Sequence, residues 1–214
     1  ADSVKSAELH KIMRTFTKEQ NISLFYDIGS GGICHQVMVE KGHVLPGELI
    51  VGADSHTCTY GCLGAFATGI GSTELAGVFA TGEIWLRVPS TIRINSVGRF
   101  PKFVTPKDLI LYVIGKIGDD GAIYKAVEFT GPTINEMSVS GRMTLCNMTV
   151  EMGAKTGLIN PDDITLNFIK VRTNATFNAF KSDPDASYEK NLEVKVSDLE
   201  PQVACPDSVD NVKP

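Results

Sequence analysis

Apolar residues at helical spacing open the chain and predict an amphipathic helix that runs to about residue 20. Asp2 or Ser3 precedes the first apolar position, and both are residue types that cap a helix N-terminus. The predicted apolar face consists of Val4, Ala7, Leu9, Ile12, Met13 and Phe16. Two short apolar runs, residues 22–26 and 48–52, each predict a buried strand. A predicted loop, DIGSGGICHQ, follows the first strand, and the triplet DSH follows the second.

Helices and strands are predicted in alternation over the rest of the chain. TPKD, residues 105–108, combines a capping box with proline at the first helical position and therefore predicts a sharp helix start. Helices are predicted over residues 72–85, 105–118, 142–154 and 161–170, and strands over 91–100, 123–129 and 192–196. This alternation is typical of layered α/β proteins, so we predict an α/β fold.

Asn147 and Glu151 are four residues apart in the predicted helix over 142–154, which places them on one helical face. Their amide and carboxylate groups could serve one cleft, or the face could simply contact solvent. The spacing alone leaves both interpretations open.

Composition and charge exclude several classes of function. The 214 residues are 43% apolar, enough for a sizeable core, and the net charge of −5 gives no field that attracts polyanions. Nucleic acid is therefore not expected as a main partner. No apolar stretch approaches the roughly 20 residues of a membrane span, and no secretory signal opens the chain, so a cytoplasmic protein is predicted. Five cysteines without a signal peptide predict reduced thiols.

The stretch VGADSHTCTYGCLGAFATGIGSTE, residues 51–74, holds a dense group of reactive side chains among glycines. His56, Cys58 and Cys62 do not have the spacing of a zinc finger or zinc ribbon. We expect the two cysteines to pack as small apolar groups. The glycines also lack the order of a phosphate-binding loop, so we expect them to let backbone segments approach closely.

His35 and His56 each follow a predicted strand, among glycines and small residues. Strand ends of one open α/β sheet meet at a common edge, where ligands bind. Asp54 is close to His56 in sequence, and a carboxylate beside an imidazole fixes its tautomer and helps it to transfer protons. A lone loop histidine is more often structural, but two in this position favour a proton-handling site. His10 and His43 lack such surroundings and are interpreted as surface residues.

Four blocks of sequence occur in a specific order: SGGICHQ, VGADSHTCTYGCLGAFATGIGSTE, PKDLILYVIG and GRMTLCNMTVEMGAKTG. Together they resemble the aconitase family, and within it the large subunits of isopropylmalate dehydratases and homoaconitases. The resemblance implies three-layer α/β/α domains with mixed sheets. It also implies a hydro-lyase that isomerises a hydroxy acid, a [4Fe-4S] cluster that acts on the departing hydroxyl, and a small subunit as partner.

The resemblance also implies roles for individual residues. It assigns catalysis to His35, Asp54, His56 and Glu151, and substrate binding to Ser55 and Asn147. Within this set Asp54 would pair with His35, and Glu151 would pair with His56. The paired imidazoles and carboxylates would handle the proton of the departing hydroxyl.

This sequence departs from the family pattern in one important respect. The cysteines that hold the family's cluster lie in an S-C-T-N block and a later C-x-x-C, and neither occurs here. No cysteine of this chain is therefore assigned as a metal ligand. An upstream Asp-His pair of the family would precede residue 1. We expect a fragment that is inactive alone, in which residues 1–98 close a first domain, 99–198 form a second and 199–214 lead into a third.

Within the family, isomerisation of 2- and 3-isopropylmalate in leucine biosynthesis is the first expectation, and isomerisation of homocitrate is the alternative. An alternative from another class is a relative without a cluster that binds RNA, which the acidic charge disfavours. A nucleotide-dependent enzyme is disfavoured because the phosphate-binding motif is missing.

Overall fold

The structure, a computed structural model, describes residues 1–214 and divides into two compact units, Ala1–Val37 and Met38–Pro214. The first unit contains helix α1, Val4–Glu19, as predicted. Ser3 is its N-cap, since the Ser3 hydroxyl accepts a hydrogen bond from the backbone N–H of Ser6 at 3.1 Å. No residue of α1 is buried.

An ion pair between Arg14 and Asp27 holds the start of the loop after residue 26 to helix α1. Nε and Nη2 of Arg14 lie 2.5 and 2.8 Å from the two carboxylate oxygens of Asp27. Hydrogen bonding from Arg14, more than any other contact, lowers the pKa of Asp27 to about 2.

The strand predicted at residues 22–26 is wrong. These residues form no regular structure, and Ile22 and Leu24 are exposed. A strand requires a neighbour that completes its backbone hydrogen bonds, and no strand of the chain pairs with this segment. The predicted loop that follows ends earlier than expected, at helix α2, Cys34–Glu40.

The second unit alternates strands with helices, which confirms the predicted α/β class. Its strands are β1 Leu49–Gly52, β2 Phe66–Gly69, β3 Thr91–Val97, β4 Ala126–Thr130, β5 Thr156–Ile159, β6 Lys190–Lys195, β7 Val203–Ala204 and β8 Val212–Lys213. Its helices are α3 Ser72–Thr81, α4 Pro106–Ile117, α5 Pro132–Asn135, α6 Val139–Asn147 and α7 Asp163–Lys170. Short 3₁₀ helices occupy Ser55–Leu63, Met148–Met152 and Val196–Asp198.

Two parallel sheets and one antiparallel pair organise these strands. β1 pairs with β2 in parallel, and β5, β4, β3 and β6 form a parallel sheet in that order. Only the short pair β7 and β8 is antiparallel. Because β3 pairs with both β4 and β6, residues 91–97 share a sheet with later parts of the chain. The predicted domain division at residue 98 stays a prediction.

The main core lies on one face of the four-stranded sheet. Ile92 and Ile94 of β3 are buried beside Val127 and Phe129 of β4, their partners in the strand register. Helix α4 contributes a buried apolar stripe to the same cluster. The capping box predicted for α4 is confirmed, since the backbone N–H and hydroxyl of Thr105 each lie 2.7 Å from Oδ2 of Asp108. None of the helices combines the length and apolar character that a membrane crossing requires.

Three predicted boundaries differ from the structure for local reasons. Helix α3 ends at Thr81 because Gly82 adopts a left-handed backbone with φ of 71°. Strand β4 begins at Ala126 because Tyr124, with φ of 57°, interrupts the extended backbone before it. The helix predicted over 142–154 begins earlier, at Val139, and continues after Asn147 as a 3₁₀ helix.

Gly61 lies against β5 at a separation that excludes any side chain. A Cβ at Gly61 would lie 1.6 Å from the carbonyl oxygen of Gly157, and a Cβ at Gly157 would lie 2.8 Å from Cα of Cys146. The close backbone approach expected of this glycine-rich stretch is therefore confirmed.

We expect Gly61→Ala to destabilise the protein by at least about 1–3 kcal/mol, because the 3₁₀ helix or β5 must move to admit the methyl group. Gly77→Ala in α3 is the matched control, since apart from the helix's own backbone nearby no atom lies within 4 Å of a Cβ there. That change should be neutral or stabilise the helix by up to about 1 kcal/mol. Denaturant unfolding followed by circular dichroism compares the variants, and equal midpoints would contradict the steric argument.

Candidate active site

The Asp54-Ser55-His56 triplet lies at the carboxyl end of β1, where the backbone leaves the sheet and enters a 3₁₀ helix. Asp54 is the N-cap of that helix, and its Oδ1 accepts a hydrogen bond from the backbone N–H of His56 at 2.7 Å. Thr57 Oγ1 donates to the carbonyl oxygen of Asp54 at 2.6 Å. The local hydrogen bonds fix the turn, so the triplet stands at the strand end where ligands bind in α/β sheets.

Two glycines make room for this turn. A Cβ at Gly69 of β2 would lie 2.7 Å from the carbonyl oxygen of Asp54 and 2.8 Å from Cα of Ser55. A Cβ at Gly52 would lie 2.7 Å from Oγ1 of Thr57. Gly69 therefore lets the backbone of β2 lie directly against the triplet, and Gly52 leaves room for the side chain of Thr57. A phosphate-binding loop is not needed to explain either glycine.

His56 lies between two carboxylates. Its Nδ1 is 3.4 Å from Oδ1 of Asp54, and its Nε2 is 3.5 Å from Oε1 of Glu151. The side chains of His56, Asp54 and Glu151 keep 37%, 53% and 39% of their surface exposed. Ion pairs at such exposure contribute at most about 1 kcal/mol to stability, so folding energetics do not explain the arrangement. A carboxylate beside each ring nitrogen orients the imidazole and can exchange a proton with it.

The junction between α6 and the following 3₁₀ helix brings Asn147 and Glu151 to the triplet. Asn147 Nδ2 donates a hydrogen bond to Oγ1 of Thr59 at 2.9 Å. Thr59 Oγ1 in turn donates to the carbonyl oxygen of His56 at 2.6 Å. Two segments about 90 residues apart in sequence are thus joined by hydrogen bonds at the site.

Ser55 places its hydroxyl between His56 and an open cleft. Its Oγ lies 3.3 Å from Nδ1 of His56. The cleft has a volume of about 650 Å³, and its walls include Ser55, Gly69, Glu74, Trp85, Val150 and Lys155. His56 itself does not line this cleft, so a small polar molecule there would meet the Ser55 hydroxyl, which lies beside the His56 ring.

His35 lies in the first turn of α2, in the first unit, and is half-buried. Its predicted pairing with Asp54 stays a prediction. Within the second unit, Asp54 contacts the backbone and ring of His56.

The cysteines near the site behave as packing residues, as expected. Cys58, Cys62 and Cys146 are fully buried, and all five cysteines are free thiols. Burial raises the pKa of Cys58 to about 11 and that of Cys62 to about 12, and it raises the pKa of Cys146 well above the ordinary value. Burial explains these three thiols as packing residues, and none of them lies in an S-C-T-N block or a C-x-x-C.

Sequence reasoning missed two threonines that hold the site together. Thr57 and Thr59 are buried, and each hydroxyl donates to the carbonyl three residues earlier in the chain. The spacing from Asp54 to Thr57 and from His56 to Thr59 was a readable signal for such local bonds. No sequence signal marked Lys155 as a residue of the cleft.

The whole chain, residues 1–214, matches the aconitase family (aconitate hydratase). It is 58% identical to the probable 3-isopropylmalate dehydratase large subunit of Methanothermobacter thermautotrophicus, across 100% of this chain and 51% of that relative. It is 59% identical to the 3-isopropylmalate dehydratase large subunit 1 of Methanopyrus kandleri, across 100% of this chain and 51% of that relative. It is 56% identical to the probable methanogen homoaconitase large subunit of Methanosarcina mazei, across 100% of this chain and 54% of that relative. The chain spans about half the length of the curated relatives it matches.

Proposed function

Because the chain belongs to the aconitase family, we propose that the complete protein is the large subunit of a 3-isopropylmalate dehydratase. This hydro-lyase would interconvert 2- and 3-isopropylmalate by removing and re-adding water, a reaction of leucine biosynthesis. Relatives at 58% and 59% identity over the whole chain carry this name. The observation that carries the proposal is the position of His56, between two carboxylates and next to Ser55, which lines an open cleft.

In the proposed reaction His56 handles the proton of the departing hydroxyl. The imidazole gives a proton to the hydroxyl oxygen, which leaves as water, and it takes that proton back when water adds to the double bond. Glu151 at Nε2 and Asp54 at Nδ1 orient the ring and can restore its proton. Ser55 and Asn147 would donate hydrogen bonds to the substrate.

The carbon-bound proton is taken by a base that we place outside residues 1–214. We likewise place the ligands of the family's [4Fe-4S] cluster there, because this chain lacks the S-C-T-N block and the C-x-x-C that hold the cluster in the family. The relatives are named large subunits, so we propose a small subunit as partner and a cytoplasmic location.

A second candidate is homoaconitase, since a large subunit of that name is 56% identical to this chain. The complete heteromeric enzyme should be assayed with isopropylmalate and, separately, with homocitrate and homoaconitate. Turnover of isopropylmalate alone supports the dehydratase, turnover of the homologous tricarboxylates supports the alternative, and turnover of neither contradicts both.

Cys58→Ser should leave the iron content of the complete enzyme unchanged. The thiol is buried, its Sγ donates to the carbonyl oxygen of Asn147 at 3.5 Å, and it lies in neither cluster motif of the family, so we expect it to act in packing only. Iron and sulfide analysis with visible absorbance measures the outcome, and Cys205→Ser is the matched control. Loss of the cluster from the Cys58 variant alone would reverse the assignment.

A further inference from the structure

Lys155 lines the same cleft as Ser55, and the mechanism described above does not use it. The 3₁₀ helix Met148–Met152 brings Glu151 to His56, and the chain then turns and places Lys155 in the wall of the cleft. The side chain of Lys155 is half-buried. A ligand that fills the cleft, whose volume is about 650 Å³, would therefore contact both a hydroxyl and an ammonium group.

No acidic side chain neutralises the charge of Lys155, which forms no ion pair. Glu151, one helical turn earlier in the chain, is directed to His56 instead. Glu74 also lines the cleft, but its carboxylate lies against Gly71 at the N-terminus of α3, where the helix dipole favours a negative charge. A cation in a cleft without a counter-charge attracts anions.

The ring of Tyr124 fixes the position of Lys155 and adds a second cation. Nζ of Lys155 lies 5.3 Å from the centroid of this ring, and Cζ of Arg87 lies 4.7 Å from the same centroid. The backbone N–H of Tyr124 donates to the carbonyl oxygen of Gly153 at 3.2 Å, and that of Lys155 donates to Lys125 at 2.8 Å. Arg87 forms no ion pair either, so two unneutralised cations share one aromatic ring that lines the cleft.

We infer that Lys155 binds a carboxylate group of the substrate, and that Arg87 strengthens the positive potential at that end of the cleft. The inference rests on the proposed function, since isopropylmalate is a dicarboxylate and homocitrate is a tricarboxylate. An ammonium group donates charge-assisted hydrogen bonds to a carboxylate. The local charge of the cleft then explains how a chain of net charge −5 attracts a substrate that is itself an anion.

Lys155 should contribute to substrate binding more than to the chemical step. The bound carboxylate keeps its charge while water leaves and adds, so its contact with the ammonium group is as strong in the substrate complex as in the transition state. Removing such a contact raises KM and leaves kcat almost unchanged. This pattern differs from the loss of kcat expected when a group that transfers protons is removed.

Lys155→Met in the complete enzyme tests the inference. We expect KM to rise at least roughly 10-fold, the effect of losing a charged hydrogen bond, while kcat stays within about threefold of wild type. Lys155→Arg keeps the charge and should restore most of the affinity. Lys125→Met is the matched control, since Lys125 pairs with Glu189 at 2.5 Å and does not line the cleft. An unchanged KM for Lys155→Met, or an equal rise for Lys125→Met, would overturn the inference.

Binding of unreactive acids separates this inference from the proposed function. Isopropylsuccinate and tricarballylate lack the hydroxyl group that leaves, so titration calorimetry measures their Kd without turnover. Kd should rise at least roughly 10-fold in Lys155→Met, and added salt should weaken binding to the wild type more than to this variant. If the acids bind through Lys155 but no hydroxy acid is turned over, the proposed function fails and the inference stands. An equal Kd for wild type and Lys155→Met, or no binding to the wild type, would overturn the inference. Circular dichroism of each variant confirms that the measured enzyme is folded.

Discussion

His56→Ala should lower the turnover number of the complete enzyme by roughly 10²–10⁴-fold, the effect of removing a group that transfers protons. The ring lies 3.4 Å from Asp54 and 3.5 Å from Glu151, and its Nδ1 is 3.3 Å from the hydroxyl of Ser55, which lines the cleft. Stability should change little, because the side chain is over one-third exposed and its ion pairs are weak. Steady-state kinetics with circular dichroism and iron analysis separates loss of chemistry from loss of structure.

Two further variants sharpen this experiment. His43→Ala removes a histidine that lies outside the Asp54-Ser55-His56 triplet and has no role in the proposed reaction, so its turnover should stay close to that of the wild type. Glu151→Gln should lower turnover by itself but add little to the effect of His56→Ala, because the carboxylate acts through the ring. Additive losses in the double variant would show that Glu151 acts separately, and near-normal turnover of His56→Ala would remove the ring from the mechanism.

Much of the fold could be predicted because the signals were local. The N-cap of α1, the capping box of α4 and the alternation along β3 each depend on residues within a few positions of one another. Local rules fix such elements whatever the rest of the chain does. The start of α3 and the strand before the DSH triplet were predicted for the same reason.

Apart from the shifted boundaries, the strand that was wrongly predicted and the two strands that were missed all depend on partners that are distant in sequence. Residues 22–26 have a strand-like composition, but composition alone does not supply the neighbour that a strand needs. β2 and β5 were missed because each is four residues long and contains glycine, so neither shows a clear apolar pattern. Their formation depends on pairing with β1 and β4.

For the candidate site, too, local features could be predicted from the sequence, whereas contacts between distant segments could not. Chemistry and strand-end position pointed to Asp54 and His56, and helical spacing placed Asn147 and Glu151 together. What the sequence could not show is that α6 packs on the 3₁₀ helix that carries His56, since that contact joins segments about 90 residues apart. The resemblance to a known family supplied the pairing of His56 with Glu151, and the structure places them 3.5 Å apart.

Arg142 was interpreted only as part of a helix, yet it is the largest fully buried side chain of the chain. Its Nη1 and Nη2 lie 2.7 and 2.5 Å from the two carboxylate oxygens of Asp162, the N-cap of α7. Nη1 also donates to Thr165 at 3.0 Å, while Nε and Nη2 donate to the carbonyl oxygens of Met137 and Ile134, each at 3.1 Å. One guanidinium therefore joins α6 to α7 and to the turn after α5.

Arg142→Met should destabilise the protein by about 3–5 kcal/mol, because it leaves a partly buried carboxylate without its charged partner and removes a donor from the carbonyl oxygens of Met137 and Ile134. Arg142→Lys should recover only part of the loss, since an ammonium cannot reproduce the planar fork. Arg99→Met is the matched control: Arg99 forms an exposed pair with Glu136 at 3.8 Å, and its loss should cost at most about 1 kcal/mol. Equal unfolding midpoints for the Arg142 and Arg99 variants at neutral pH would contradict the prediction.

The pH dependence of the stability of Arg142→Met tests whether the lost interaction is the ion pair with Asp162. Burial alone would raise the pKa of Asp162, but hydrogen bonds from Arg142 and Thr165 outweigh it and lower the pKa below its ordinary value. A carboxyl group whose pKa is lower in the folded state stabilises the protein above about pH 4 and loses that contribution as the pH falls through the lowered pKa. The stability difference between wild type and Arg142→Met should therefore be largest at neutral pH and shrink under acidic conditions. Because α6 ends at Asn147, loss of this anchor should also loosen the hydrogen bond from Asn147 to Thr59, so turnover should fall even at temperatures where the variant remains folded.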